Sequence, residues 1–113
     1  MITGTTGGLG TAFSAECASR GYDLLLTDMV KDGAEFSGTL AKKYGVRVKY
    51  KTCNLTSEVD RTALFKTLEA EGICLWGLIN NAGMGYQGAF QSLTRQKVLQ
   101  VIRLNAESAI DNT

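Results

Sequence analysis

The sequence predicts an α/β fold in which helices cover both faces of an open, parallel sheet. Short apolar runs typical of strands alternate with longer amphipathic runs typical of helices, and the strand ends carry glycine or polar residues. Strands that alternate with helices in this way are parallel and are joined by right-handed crossovers. Ligands of such sheets bind at the carboxyl ends of the strands, so we expect a functional site there.

The composition limits the class of protein. The chain has 113 residues, of which 44% are apolar and 20% charged, and its net charge is +1. These values are typical of one soluble globular domain, and without a basic block there is no indication of a nucleic-acid or membrane partner. The sequence shows no signal-peptide pattern and no apolar stretch of membrane-spanning length, so we expect a cytoplasmic protein.

Residues that bind metals or form disulfides are scarce. The chain has no His, which excludes a His-based catalytic triad and His-ligated zinc, and we predict no metal site. The three cysteines, Cys17, Cys53 and Cys74, are widely spaced and form no C-x-x-C motif. We therefore expect reduced, buried thiols, as in cytosolic proteins.

A glycine-rich stretch at residues 3–10, with the sequence TGTTGGLG, separates the first predicted strand from the first predicted helix. Glycine lets the backbone adopt a positive φ and approach a ligand closely. The helix that follows would point unpaired N–H groups and the positive end of its dipole at this loop, which suits a pyrophosphate. A plain tight turn is the alternative, because a glycine-rich turn alone is a weak signal.

Hydrophobic periodicity predicts four strands and four helices. We predict strands at residues 2–3, 24–28, 46–53 and 75–80, and helices at residues 9–20, 33–44, 58–71 and 93–110. The third strand alternates apolar and charged residues, which indicates an edge position. Ser57 with Asp60 fits a capping box for the third helix, and Glu16 with Arg20 fits an i,i+4 ion pair.

The same periodicity predicts which side of each helix is buried. The predicted apolar faces are Leu9, Ala12, Phe13 and Cys17 in the first helix, Phe36, Leu40 and Tyr44 in the second, Val59, Ala63, Leu64 and Leu68 in the third, and Val98, Val101, Ile102 and Ala109 in the last. Asn105 falls on the last of these stripes. An asparagine there is either satisfied inside the core or functional.

Asp28 follows the second strand, eighteen residues beyond Gly10. A carboxylate at this place can accept hydrogen bonds from the diol of an adenosine ribose and would repel a 2′-phosphate. A solvated turn aspartate is the alternative. The glycine stretch and Asp28 together favour the ribose role.

These residues together resemble the short-chain dehydrogenase/reductase family. Four of its signatures occur in order: the glycine stretch, Asp28 after the second strand, NLT at residues 54–56 and NNAG at residues 80–83. A fifth is Asn105 in the context VIRLNAES. The resemblance implies a Rossmann-type, doubly wound sheet in three α/β/α layers. It also implies that residues 1–113 form one partial NAD(P)-binding domain.

The resemblance implies a set of site residues. The pyrophosphate and its ribose would be lined by Gly4, Thr6, Gly7, Gly8, Leu9 and Gly10. The adenine would be flanked by Asn54 and Leu55, and the nicotinamide-side ribose would be approached by Asn80, Ala82 and Gly83. Asn105 matches the helix asparagine of the family's catalytic tetrad, which holds a water of the proton relay.

The cofactor preference follows from the neighbours of these residues. Family members that prefer NADP usually place Arg or Lys at the position just before the one that Gly8 occupies, or beside the acidic residue that Asp28 matches. Here those places hold Gly7, Thr27 and Met29, so the resemblance favours NAD, although Lys31 is near enough in sequence to reach a phosphate.

The family's catalytic Ser and Tyr-x-x-x-Lys pair have no match here. The residues four positions after Tyr22, Tyr44, Tyr50 and Tyr86 are Leu26, Val48, Asn54 and Phe90. We therefore expect the N-terminal, cofactor-binding half of an oxidoreductase that transfers hydride between a nicotinamide cofactor and an alcohol or carbonyl substrate. We expect this half to be inactive alone and the parent protein to be a homo-oligomer.

Two other functions fit part of the pattern. A non-catalytic dinucleotide-binding or scaffold module would carry the same motifs. A nucleotide-sugar epimerase or dehydratase of the extended branch would carry T-G-x-x-G-x-x-G, which Gly4, Gly7 and Gly10 satisfy. Gly8 and the NNAG segment argue against that branch.

Overall fold

A parallel sheet of three strands forms the centre of the computed structural model, which describes residues 1–31 and 33–113. The strands are β1 (Ile2–Thr3), β2 (Leu24–Asp28) and β3 (Val48–Thr52), in the order β1-β2-β3. Leu26 in the central strand pairs with Ile2 on one side and with Tyr50 on the other. The sheet is therefore parallel as predicted, and β3 lies at its edge as its alternating sequence indicated.

Residues 77–79 lie alongside β1 on the side away from β2. Ile79 forms an isolated parallel bridge with Ile2, and its N–H donates to the carbonyl of Met1 at 2.9 Å. The prediction of a full buried strand at residues 75–80 was wrong, because Trp76 is 78% exposed and the pairing stops at this bridge. The reason is that β1 itself has only two residues to offer as partners.

Three long helices match the predictions closely. They are α1 (Gly8–Ser19), α2 (Gly33–Tyr44) and α3 (Glu58–Ala70). The hydroxyl of Ser57 accepts a hydrogen bond from the N–H of Asp60 at 3.3 Å, which confirms the predicted cap of α3. Glu16 and Arg20 form the predicted ion pair at 2.6 Å.

Two apolar cores lie on opposite faces of β2. Leu24 and Leu26 pack with Ala18 and Leu40 on the side of α1 and α2. Leu25 belongs to the other core, which contains the buried residues Cys53, Leu55, Leu64 and Leu68. Successive strand residues point to opposite faces, so this continuous apolar run serves both cores and produces the predicted three layers.

The buried face of α1 differs from the prediction. The helix buries Gly10, Ser14 and Ala18, whereas Leu9 is 70% exposed and Phe13 is also exposed. Small side chains let a helix lie close to a neighbouring loop and sheet, where a leucine or phenylalanine would not fit. A pattern based on hydrophobicity does not detect this kind of packing.

The buried face of α3 also differs in part. Leu64 and Leu68 are buried as predicted, but Val59 is exposed and the third buried residue is Arg61. A buried arginine is rare unless its charge is paired. Its partners lie 46 and 50 residues away along the chain, which explains why helical periodicity did not reveal it.

The helix predicted at residues 93–110 is interrupted. A short 3₁₀ turn (Phe90–Ser92) precedes α4 (Arg95–Ile102), which continues into a π-type turn (Arg103–Glu107) and then α5 (Ser108–Asp111). A π-type turn adds a residue to one helical turn and shifts all later residues around the axis. The predicted single stripe is therefore broken, with Ile102 and Asn105 exposed.

The cysteines have three different environments. Cys53 is buried, Cys17 is half-buried and Cys74 is exposed, so the expectation of buried thiols is correct only in part. Burial, with a smaller contribution from Asp60, raises the pKa of Cys53 to about 11, which keeps this thiol protonated and unreactive.

In the part of the chain that the structure describes, no helix has the length and apolar character needed to cross a membrane.

Candidate functional site

The glycine loop, residues 4–10, joins β1 to α1 at the carboxyl edge of the sheet. Gly4 has a φ of +66°, and a Cβ on it would lie 2.7 Å from the Cα of Ala82. A Cβ on Gly10 would lie 2.0 Å from the carbonyl oxygen of Gly4. Because both separations are far below van der Waals contact, these two positions need glycine for packing.

Gly7 and Gly8 have no such packing role. A Cβ on Gly8 would meet no heavy atom within 4 Å, and one on Gly7 would meet only the Gly4 carbonyl oxygen at 3.6 Å. Gly7 is also the N-cap of α1, where no side chain within the described residues caps the helix and no acidic residue occupies its first turn. The helix therefore presents N–H groups and its positive dipole end to open space.

Asp28 is bonded to the glycine loop. Its Oδ2 accepts hydrogen bonds from the N–H of Thr6 at 2.9 Å and from the Thr6 hydroxyl at 2.8 Å, and its Oδ1 accepts from the N–H of Met29 at 2.7 Å. A carboxylate offers about four acceptor positions, so about one remains open. Asp28, the residue predicted to bind the ribose, therefore also joins β2 to the glycine loop.

The NNAG segment is bonded to β1. The Nδ2 of Asn81 donates to the carbonyls of Thr3 and Gly4, both at 3.0 Å. The hydroxyl of Thr3 accepts from the N–H groups of Asn81 at 3.0 Å and Ala82 at 2.9 Å. The sequence interpretation missed Thr3 and Asn81, because nothing in their spacing shows that residues 78 positions apart meet.

Asn80 faces α5. Its Nδ2 donates to the carbonyl of Ala109 at 3.3 Å, and its Oδ1 accepts from the Nδ2 of Asn112 at 3.1 Å. Both polar atoms of the side chain are therefore engaged by the helix. One N–H and one acceptor position of the side chain remain, together with the backbone, for a contact with a ligand.

Asn105 lies in the π-type turn and is bonded to the loop after NNAG. Its Oδ1 accepts from the N–H of Met84 at 2.9 Å, and its Nδ2 donates to the carbonyl of Met84 at 2.8 Å. A Cβ on Gly83 would lie 3.4 Å from the same Oδ1, so a side chain at Gly83 would crowd this pair. Because Asn105 is exposed, the alternative of an asparagine satisfied inside the core does not describe it.

The NLT segment follows β3. The Oδ1 of Asn54 accepts from the N–H of Thr56 at 3.1 Å and from its hydroxyl at 2.8 Å, which closes the turn. The side chain of Leu55 is buried in the core on the α3 side, and its carbonyl accepts from Nη1 of Arg61 at 2.7 Å. Leu55 can therefore face a ligand only through its backbone.

The structure brings the predicted residues together along one edge of the sheet. Thr6 meets Asp28, Gly4 meets Ala82, and Gly83 meets Asn105. A cavity of about 820 Å³ lies elsewhere, beside the amino end of β2, where Tyr22, Leu24 and Trp76 are among its lining residues. Because none of the predicted site residues lines it, this cavity is not part of the candidate site.

Comparison with known proteins gives a family match that includes every residue of the candidate site. The model of the family described as short chain dehydrogenase matches residues 1–113. A very-long-chain 3-oxoacyl-CoA reductase of Pyrenophora tritici-repentis is 25% identical over 97% of this chain, and a 3-oxoacyl-acyl-carrier-protein reductase of Aquifex aeolicus is 29% identical over 93%. This chain spans 34% and 43% of their respective lengths.

Solved structures agree with the observed fold. The bulky-bulky ketone specific alcohol dehydrogenase of Comamonas testosteroni is 28% identical with a TM-score of 0.86. A short-chain dehydrogenase of Sphingobium yanoikuyae, solved in complex with NADPH, is 30% identical with a TM-score of 0.86. Each comparison covers 97% of this chain and 44% of the solved one. The predicted Rossmann-type arrangement is thereby confirmed.

Proposed function

The chain belongs to the short-chain dehydrogenase family, and from this we propose that residues 1–113 form the dinucleotide-binding domain of an NAD(P)-dependent oxidoreductase. The reaction is hydride transfer between the nicotinamide ring and an alcohol or carbonyl compound. Reductases among the relatives and the NADPH complex of the Sphingobium protein support a nicotinamide dinucleotide as the cofactor.

The observation that carries this proposal is the uncapped start of α1. Its N–H groups and positive dipole end face open space at Gly7 and Gly8, whose missing side chains leave room that the fold does not use. A pyrophosphate brings two negative charges and several acceptor oxygens to such a position. Gly4 and Gly10 serve a different purpose, since they allow the loop to pack against Ala82 and α1.

The two nucleosides would lie on either side of this pyrophosphate. On the adenine side, Asp28 offers its remaining acceptor position to a ribose hydroxyl, and Asn54 with the backbone of Leu55 borders the base. On the nicotinamide side, Ala82 and Gly83 follow the bridge to β1, and Asn80 contributes its backbone.

Asn105 would contribute to proton relay through its backbone. Its amide is fixed by Met84 through one bond at each polar atom, which leaves one N–H and one acceptor position of the side chain. The π-type turn around it interrupts the α-helical pattern of hydrogen bonds and leaves carbonyl groups of that turn with altered partners. A water bound at such a carbonyl is the relay position that we propose.

The choice between NAD and NADP depends on Asp28. A carboxylate accepts from a ribose hydroxyl and repels a 2′-phosphate, which supports NAD. NADP is the second candidate, because the similar Sphingobium protein was solved in complex with NADPH.

We also propose that these 113 residues bind the cofactor without turning it over. In the sequence no tyrosine is followed by lysine four residues later, so the proton donor that the family uses has no match. NADH formation measured by absorbance over a panel of alcohols should equal a control without protein. Reproducible turnover above that control would show that another residue supplies the proton.

Titration of NADH and NADPH, followed by cofactor fluorescence, tests the binding site directly. Gly8→Asp places a carboxylate beside the expected pyrophosphate and should weaken binding about ten-fold or more through like-charge repulsion. The same carboxylate at a helix N-terminus favours the fold, so lost binding would not reflect unfolding. Gly38→Asp is the control, because Gly38 is also a helical glycine with open space around it. Equal affinities of the two variants would contradict the proposal.

A further inference from the structure

Arg61 is the one charged side chain buried within the described parts of α1, α2 and α3, at 2% exposure. Each of its three guanidinium nitrogens donates a hydrogen bond to a residue outside α3. Its Nη1 donates to the carbonyl of Leu55 at 2.7 Å, its Nη2 to Glu107 at 2.5 Å, and its Nε to Asp111 at 2.8 Å.

These partners belong to two segments of the candidate site. Leu55 lies in the NLT turn after β3, on the adenine side. Glu107 is the last residue of the π-type turn and Asp111 is the last residue of α5. One side chain on α3 therefore connects the turn beside Asn54 to the segment that carries Asn105.

The charge of Arg61 is stabilised in place. Burial by itself would lower its pKa, but the hydrogen bonds to Glu107 and Asp111 outweigh burial and raise the pKa of the guanidinium above its ordinary value. A buried cation with satisfied donors holds its partners in a defined geometry, and removal of a partner leaves a costly unpaired group.

The π-type turn requires stabilising contacts of this kind. Isolated helices favour α-type hydrogen bonding, and π-type turns are rare. Removing the extra residue from the turn would rotate everything beyond it by about 100° around the helix axis. Asn105 and Glu107 lie two positions apart, so the rotation would break either the bond of Asn105 to Met84 or that of Glu107 to Arg61.

We propose that Arg61 is a positioning residue that holds the π-type turn in register, so that Asn105 stays bonded to Met84. This role of Arg61 rests on the proposed function only because the proposed function assigns Asn105 to the proton relay. The contact itself is formed by residues of this chain alone, and it couples the adenine side of the site to the nicotinamide side.

Amide hydrogen exchange measured by NMR on the full chain tests this role. The Met84 N–H reports on the local contact, because Asn105 is its acceptor. The Leu26 N–H reports on global opening, because Leu26 is fully buried in the central strand. Arg61→Met keeps a side chain of similar length without charge, and Asn105→Ala sets the value expected when the acceptor is absent.

Arg61→Met should accelerate exchange at the Met84 N–H about ten-fold or more. The ratio of the Met84 exchange rate to the Leu26 exchange rate should rise by the same factor. Glu107→Ala should accelerate exchange at Met84 in the same direction by a smaller factor, and it decides the matter if Arg61→Met does not fold. Glu69→Ala, an exposed carboxylate on α3, is the control and should change neither amide.

Two results would overturn the proposal. Exchange at Met84 that rises only in parallel with Leu26 would make Arg61 a residue of general stability. Exchange at Met84 that stays unchanged in Glu107→Ala would show that the turn holds its register without this contact. Since no cofactor is present in the measurement, failure of the proposed binding function would be seen separately in the cofactor titration.

Discussion

One carboxylate oxygen of Asp28 accepts two hydrogen bonds from Thr6, from its N–H at 2.9 Å and from its hydroxyl at 2.8 Å. The bond joins the end of β2 to the glycine loop across 22 residues of sequence. A ribose that takes both of its hydroxyl contacts at Asp28 must therefore replace the Thr6 hydroxyl. Cofactor binding and loop geometry are coupled at this carboxylate.

Asp28→Ala should weaken NAD binding by about 1.5 kcal/mol, the value of a hydrogen bond to a charged group. It should weaken NADP binding less or strengthen it, because the 2′-phosphate no longer meets a carboxylate. Titration of both cofactors gives the ratio of the two affinities. An unchanged ratio would contradict the assignment of Asp28 to the ribose.

Thr6→Val is the matched control for that experiment. It removes the hydroxyl contact to Asp28 but keeps the backbone N–H contact and the carboxylate. We expect the ratio of NAD to NADP affinity to stay the same or to rise, because the freed acceptor position suits a ribose hydroxyl and not a 2′-phosphate. A fall in this ratio as large as that of Asp28→Ala would assign the effect to loop geometry.

Gly10→Ala should destabilise the fold by about 1–3 kcal/mol, the usual cost of overpacking. The added Cβ would lie 2.0 Å from the Gly4 carbonyl oxygen, which is backbone and has no rotamer to change. Gly8→Ala adds the same methyl group where no atom lies within 4 Å, so its urea midpoint should equal or exceed that of the unmodified chain. Similar midpoints for the two variants would show that Gly10 can relax.

Cys53 should make the stability of the chain depend on alkaline pH. Burial raises its pKa from the ordinary value of 9.0 to about 11, so the folded state keeps the proton that the unfolded state loses. The contribution is complete below about pH 9 and is lost as pH rises toward about 11. Urea midpoints on the two sides of this window should fall further for the unmodified chain than for Cys53→Ala. Parallel curves would rule out this contribution.

Exposed apolar side chains in residues 90–110 should make the chain self-associate. Phe90 is 79% exposed and Ile110 74%, and Ile102 is also exposed. Exposed apolar side chains that lie together indicate an association surface, whereas single scattered ones are common on monomers. The paired variant Ile102→Lys with Ile110→Lys should lower the apparent mass in light scattering. Val59→Lys, at an equally exposed apolar residue on α3 outside this segment, should not change it. A monomer whose apparent mass neither variant changes would contradict this prediction of self-association.

Much of the fold could be predicted because its signals are local. The observed α2 coincides with its predicted bounds, since Phe36, Leu40 and Tyr44 repeat at helical spacing and Gly45 ends the run. Alternation in β3 indicated the sheet edge for the same reason. The buried face of α1 escaped prediction, because Gly10 and Ser14 are buried for their small size.

The candidate site divides in the same way. Motif spacing found the glycine loop, Asp28 and the NNAG segment, each of which is a short stretch at a strand end. It did not find Arg61, because a charged residue on a helix normally faces solvent and only its partners on a distant segment make burial possible.

The sequence by itself determined the family, the order of β1 to β3 and α1 to α3, and the edge of the sheet at which the candidate site lies. Those properties depend on short-range periodicity and on motifs of a few residues. Only the tertiary structure decided which side chains of the motifs remain free for a ligand. Thr6 meets Asp28 across 22 residues, Arg61 meets Glu107 across 46, and Asn81 meets Thr3 across 78. A parallel sheet brings such distant residues together at one edge, and no local pattern records which hydrogen bonds they then form.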